Sequence, residues 1–188
     1  MAGPAFDAAD YVQFDLRAGV IRSRDDDALV LVPRELLGGE ALGRSARTFG
    51  ETRGKRFAAW AASRTGQDPL ALDALADSVD GALAVLGFGR TEIEIRGDAL
   101  LFRIKGAAEG AADATVALLG GFLGGFLSAL DPEMRFEAAH LGASAGGPDE
   151  IVFLVGNADA LRRVAHSIAD GEAPYAAIEK IHREGGNP

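Results

Sequence analysis

One stretch of this chain constrains its fold more than any other. From Ala114 to Leu130, ATVALLGGFLGGFLSAL, seventeen residues pass without a charge, and Asp113 and Asp131 flank them. At about 100° per residue, Ala117, Gly120, Gly121, Gly124, Gly125 and Ser128 share one side of a helix. Leu119, Phe122, Leu123, Phe126, Leu127 and Leu130 share the other. One face is bulky and the other is nearly bare backbone. Interior glycine costs about 1 kcal/mol against alanine, so the four together cost roughly 4 kcal/mol of helix propensity. A close neighbour must offset that cost: another helix, the sheet, a twin subunit or a flat ligand. On that reading, a leucine at Gly124 disturbs subunit or ligand contacts while the chain still folds. The run reaches only the lower edge of membrane-spanning length. It has no Lys or Arg anchor at either end. A buried helix is expected, with no membrane span.

Around this helix the pattern alternates between hairpins and helices. Val12, Phe14, Leu16, Ala18 and Val20 alternate as a half-buried strand does. Asp25-Asp26-Asp27 makes a turn before the apolar run at 28–32, and Pro33 opens helical structure that runs in pieces to Arg64. Asp68-Pro69 caps a second helix with a buried stripe of Leu72, Leu75, Val79, Leu83 and Leu86. Asp73, Asp77 and Asp80 lie on another of its faces. A divalent cage needs ligands from several elements, so this row reads as a solvated face. Thr91–Lys105 alternates on both sides of Gly97-Asp98, the clearest hairpin of the chain. Strands at Met134–Leu141 and Glu150–Val155 follow the glycine-rich helix, and helices start near Asn157 and Pro174. The order ββ-αα-ββ-α-ββ-αα implies an α+β fold, with an antiparallel sheet built from hairpins and helices packed against it. Residues 1–10 read as a tail and 11–188 as one domain.

Function classes fall away on composition. The chain has 188 residues. A chain of that order buries roughly 70% of its unfolded surface and needs no staple. It has no cysteine, which removes disulfides, thiolate zinc sites and a cysteine nucleophile. The 28 acidic residues outnumber the 19 Lys and Arg, giving a net charge of -9, which argues against nucleic acid as a partner. MAGPAFDAAD lacks the basic and apolar regions of a signal peptide, so a cytoplasmic location is expected. Gly50-Glu51-Thr52-Arg53-Gly54-Lys55 is one residue short of a phosphate loop. Gly87-Phe88-Gly89 has Glu92 where a dinucleotide fingerprint needs glycine. Gly142-Ala143-Ser144-Ala145-Gly146 matches a nucleophile elbow, and a serine hydrolase using Ser144 stays open as an alternative. An elbow needs a strand running straight into a helix, though, and here Gly147-Pro148-Asp149 returns the chain as a hairpin. His140, His166 and His182 have no ligand spacing, so no metal is expected.

Phe49, Phe57 and Trp60 lie near one face of the helix preceding Arg64. Such rings pack a core, and the same residue types line a small-molecule cavity. Between Ala41 and Arg64, the cations Arg44, Arg47, Arg53, Lys55, Arg56 and Arg64 face only Glu51 as an acid. That asymmetry is either a solvated face or a dock for an anionic group or acidic partner.

Residues 91–156 resemble the 4-vinyl reductase domain family, which is related in fold to the TRAPP transport-particle subunits. The resemblance is carried by TEIEIRGDALLFRIK, ALLGGFLGGFLSAL, MRFEAAHLGASAGG and EIVFLVGN, with TFGETRGKRF before them. It implies an α+β fold, frequent dimers, and a pocket between helices and sheet for small hydrophobic or aromatic molecules. Some members bind zinc through cysteines. Here Glu137 matches the family's glutamate, His140 stands at the first cysteine and Ile151 at the second. The loop between is longer, so a zinc site is not carried over, and without a nicotinamide or flavin motif neither is reductase activity. The expectation is a non-enzymatic, dimeric ligand-binding or assembly module without a cofactor. Phe49, Phe57, Trp60, Phe122 and Phe126 would line its pocket, and Arg53 or Arg56 would orient a polar end of the ligand. The alternative is a structural subunit of a larger complex, with a sealed core.

Overall fold

The computed structural model describes residues 12–15, 20–23, 28–29, 40–63, 72–85, 88–96, 99–106, 113–142 and 150–185. The elements run β1 (Val12–Asp15), β2 (Val20–Ser23), β3 (Ala28–Leu29), α1 (Glu40–Ser63), α2 (Leu72–Val85), β4 (Arg90–Arg96) and β5 (Ala99–Lys105). They continue with α3 (Asp113–Leu130), β6 (Glu137–His140), β7 (Glu150–Gly156), α4 (Ala158–Ala169) and α5 (Pro174–Gly185). The fold is α+β, as expected. Among the described residues, two antiparallel sheets have the orders β1-β2-β3 and β4-β5-β7-β6.

The four-stranded sheet is covered on both faces, and the sequence of its central strands shows why. On β5, Phe102 and Ile104 point into one apolar cluster while Ala99 and Leu101 point into another. On β7, Ile151, Phe153 and Val155 join the first cluster, and Val152 and Leu154 the second. Both faces of a strand must be apolar when both are buried. The first cluster is closed by α1, α2 and α3, and the second by α4 and α5. Edge strand β4 instead alternates acidic and apolar residues: Glu92 and Glu94 pair with Lys105 and Arg103 across the ladder.

Local chemistry sets the ends of the elements. Asp113 sits in the first turn of α3, where the helix dipole favours an anion. Beyond Leu130, the Asp131 carboxylate accepts the Glu133 N–H at 3.1 Å. Pro132 there prevents continuation of the helix. The Asn157 side chain caps α4 by accepting the Ala160 N–H at 2.8 Å, which satisfies one of the free donors of the first turn.

Two expectations are corrected. Val12 and Val20 do not belong to one strand: Val12–Asp15 and Val20–Ser23 are separate strands, and Asp15 pairs with Val20 in their antiparallel ladder. Of the apolar run at 28–32, only Ala28–Leu29 is described, and it joins this sheet as β3. The strand expected from Met134 starts only at Glu137, because the Phe136 N–H is held by the Ser128 hydroxyl at 2.9 Å and the Met134 N–H by the Asp131 carbonyl at 3.1 Å. The starts of the first two helices, at Pro33 and Asp68-Pro69, and the turn at Gly97-Asp98 lie outside the described residues.

Candidate functional site

The bare face of α3 meets two neighbours within the same chain. A Cβ on Gly121 would lie 2.2 Å from the Gly43 carbonyl oxygen, and one on Gly125 2.1 Å from that of Arg47. The contact is reciprocal: a Cβ on Gly50 would lie 2.3 Å from the Phe122 carbonyl oxygen, and one on Gly54 2.4 Å from that of Phe126. α1 and α3 thus cross with backbone against backbone. Gly120 and Gly124 face the sheet side, opposite Phe153 and the Phe136 carbonyl, and Gly43 lies over Ala117. The α1 glycines 50 and 54, which in sequence mark only a failed phosphate loop, are half of this crossing. Because Gly124 faces the chain's own Arg47 and Phe136, a leucine there acts on the fold itself.

The crossing brings the five aromatic residues together. Phe49 lies 6.0 Å from Phe122 between ring centroids, Phe122 lies 5.8 Å from Phe126, Phe126 lies 5.8 Å from Phe57, and Phe57 stacks on Trp60 at 5.7 Å. These spacings lie within the range of attractive aromatic pairs. Phe57, Phe122 and Phe126 are buried, while Phe49 and Trp60 are half-buried against the same cluster. The Arg53 guanidinium lies 5.4 Å from the Phe49 ring centroid, within reach of a cation–π attraction. Arg56 is exposed, as are Arg44 and Lys55.

Arg47 does something else. Its guanidinium donates to the Phe136 carbonyl at 3.2 Å and to the Ser128 hydroxyl at 3.3 Å, and pairs with Glu51 at 3.4 Å. Ser128 in turn donates to the Gly124 carbonyl at 2.7 Å. By sequence, Arg47 belongs with the basic residues of a surface and Ser128 with small ones. Together they fasten α1, α3 and the start of β6. Their 81-residue separation left no sequence signal for the pairing.

The acidic row of α2 also divides. Asp77 is exposed, but Asp80 accepts the Thr91 N–H at 2.6 Å and the Arg90 Nε at 3.0 Å, fastening α2 to the start of β4. The Thr91 hydroxyl is buried and has no hydrogen-bond partner. At the other sheet edge, His140 packs 5.6 Å from Phe153. Desolvation there pulls its pKa below the ordinary 6.5, and the nearby Asp113 partly opposes the shift, since burial disfavours the charged form. Glu137 is exposed and lies 4.0 Å from Arg135. Ile151 is buried in the core. Among the described residues, no three His, Asp or Glu side chains gather where a metal ion could be held. Arg64 and Ser144 lie outside the described residues. α3 is long and apolar enough to cross a membrane by length and composition, and half of it is buried inside the fold.

At the sequence level, no family model and no curated protein matches the chain. By structure, the chain is similar to the phenol-responsive sensory domain of the transcription activator PoxR, solved with phenol. The TM-score is 0.55 at 18% identity, over 80% of this chain and 86% of that one. It is also similar to a vinyl-4-reductase family protein from Methanocaldococcus jannaschii, with TM-score 0.43, 15% identity, and 63% and 68% of the two chains covered. A trafficking protein particle complex subunit 3 from Naegleria fowleri, covalently bound to palmitic acid, gives TM-score 0.39 and 14% identity over 62% and 80%. At these identities the likeness is one of fold.

Proposed function

We propose that this chain is a small-molecule-binding domain of the 4-vinyl reductase kind, non-enzymatic and dimeric, whose guest is hydrophobic or aromatic. The observation that carries the reading is the set of five rings, Phe49, Phe57, Trp60, Phe122 and Phe126, gathered at one helix crossing beside the sheet. The fold shared with a phenol-responsive sensory domain supports it. The guest inserts among these rings, and Arg53, poised over Phe49, closes the outer rim together with Arg56. Thermal unfolding with phenol, toluene and indole tests the reading. A guest at about 100 times its dissociation constant adds roughly 2.7 kcal/mol. For a chain of this length that raises the melting temperature by roughly 5–10 °C. Absence of any shift from all three would refute the pocket.

A specific observation favours a second reading. The ring centroids are spaced from 5.7 Å, between Phe57 and Trp60, to 6.0 Å, between Phe49 and Phe122. At such spacings the rings already fill one another's space, as in the sealed core of an assembly subunit. In that case no aromatic guest raises the melting temperature. Association, followed by native mass spectrometry and sedimentation, would instead be salt-sensitive through the cations of α1.

A further inference from the structure

Thr91 is the odd residue on an apolar wall. In the sheet it stands opposite Ile104, and Ile104 stands opposite Ile151, so all three share the face covered by α1, α2 and α3. Thr91 is only 9% exposed, and its Oγ1 has no hydrogen-bond partner. The only other buried side-chain polar atom without a partner, among the described residues, is Glu172 Oε2, and that carboxylate is already paired with Lys180 through its other oxygen. A buried hydroxyl left unpaired costs free energy. Valine has the same shape and a high strand propensity, and it carries no such cost. Packing alone therefore does not account for threonine here.

The surroundings define what would satisfy it. The Thr91 N–H is taken by Asp80, so β4 is held against α2 and the backbone that carries the hydroxyl is fixed in place. Asp80 receives both that N–H and the Arg90 Nε, which balances its charge. The apolar cluster on this face includes Ile104, the cross-strand partner of Thr91, with Val79, Leu83, Phe88 and Phe102, and it extends to Phe57, Phe122 and Phe126. Among the residues whose burial is described, none that is buried carries a charge, and the largely covered Asp80 is already matched by Arg90, so a charged guest would lose its hydration without compensation. A hydroxyl both donates and accepts, and suits one uncharged polar group.

We propose that Thr91 Oγ1 is the hydrogen-bonding anchor for the single hydroxyl of a small uncharged aromatic guest held in this cluster. The proposal rests on the small-molecule-binding reading above and places the polar anchor on the sheet, not on the α1 arginines. Calorimetric titration of the full chain with phenol and with toluene tests it in the wild type, Thr91→Val and Thr91→Ser. The valine variant should weaken phenol about five- to tenfold, the loss of one hydrogen bond, and leave toluene within about twofold. The serine variant, which keeps the hydroxyl, should bind phenol within about twofold of wild type. Without guest, Thr91→Val should melt at the wild-type temperature or above. Unchanged phenol binding in Thr91→Val, or equal weakening of both probes, overturns the anchor while leaving the pocket. A valine variant that unfolds or melts lower also overturns it, since the hydroxyl would then be paired within the protein. If wild type binds neither phenol nor toluene, the pocket reading fails first and the anchor with it.

Discussion

Adding a single methyl group at two glycines of the same helix should change stability in opposite directions. At Gly125 a Cβ would lie 2.1 Å from the Arg47 carbonyl oxygen and 2.9 Å from its carbonyl carbon. Ordinary contacts sit at about 3.5 Å, so α1 and α3 must part locally by roughly 1 Å. Both colliding atoms belong to helix backbone and cannot rotate away. Against this, alanine gains about 1 kcal/mol of helix propensity over glycine. Overpacking of a tight core costs about 1–3 kcal/mol, and a collision with backbone belongs at the upper end. Gly125→Ala should therefore lose about 2 kcal/mol net, a fall of roughly 4–8 °C in melting temperature. At Gly120, the nearest atom to an added Cβ is a ring carbon of Phe153 at 3.3 Å. That side chain need give only a few tenths of an ångström, so Gly120→Ala keeps most of its propensity gain and is stabilised by up to about 1 kcal/mol. Urea unfolding of both variants decides the matter, with midpoints compared at constant m. If Gly125→Ala is as stable as wild type, or the two variants shift alike, the backbone-contact argument is wrong.

Two further outcomes follow from the joints around this crossing. Ser128→Ala removes the acceptor of the Phe136 N–H and one partner of Arg47, so it should cost about 1–2 kcal/mol. Amide exchange at Phe136 should also rise, and a loss under about 0.5 kcal/mol without faster exchange would show the joint to be dispensable. His140, desolvated beside Phe153, has a folded pKa below its ordinary 6.5, so the unfolded chain binds more protons in the window beneath that value. Its contribution is thus fully present above pH 6.5 and declines as the pH falls through 6.5 toward the folded pKa. An NMR titration should place the His140 midpoint below 6.5, and Asp113→Asn should lower it further by removing the opposing charge. A midpoint at or above 6.5 contradicts the assignment.

Periodicity carried much of the fold. The alternation of Thr91–Lys105 predicts the β4–β5 hairpin, and the uncharged run predicts α3 nearly to the residue. Short-range hydrogen bonding defeats the pattern where it can compete: Met134–Phe136 look like strand, yet Ser128 and Asp131 capture their backbone N–H groups. Alternation overextends the first strand because the apolar period of two runs on in sequence from Val12 to Val20, although Asp15 and Val20 are partners on two antiparallel strands. At the candidate site, the bare face of α3 announces that something must come close. What fills it is invisible, because its partner glycines on α1 lie within a charged segment resembling a failed motif. Asp80 is another such case. From sequence it belongs to a solvated row, and only the fold delivers the Thr91 N–H to it.

The same glycines that let the helices touch also set the spacing of the rings. Gly50 follows Phe49, Gly121 precedes Phe122, and Gly125 precedes Phe126, so the contact points of the crossing are covalent neighbours of the ring positions. A change in helix separation must therefore be transmitted to the aromatic spacing within one residue. Ring pairs are worth about 0.5–1.5 kcal/mol each beyond their burial. A guest that parts them must replace those contacts with its own, which favours a flat aromatic body over an aliphatic one of equal area. On the proposed reading, backbone contact at the crossing and guest recognition at the rings form one mechanical unit. A methyl group at Gly125 should weaken both stability and guest binding, whereas one at Gly120, directed at the sheet, should alter stability and leave the ring spacing as it is.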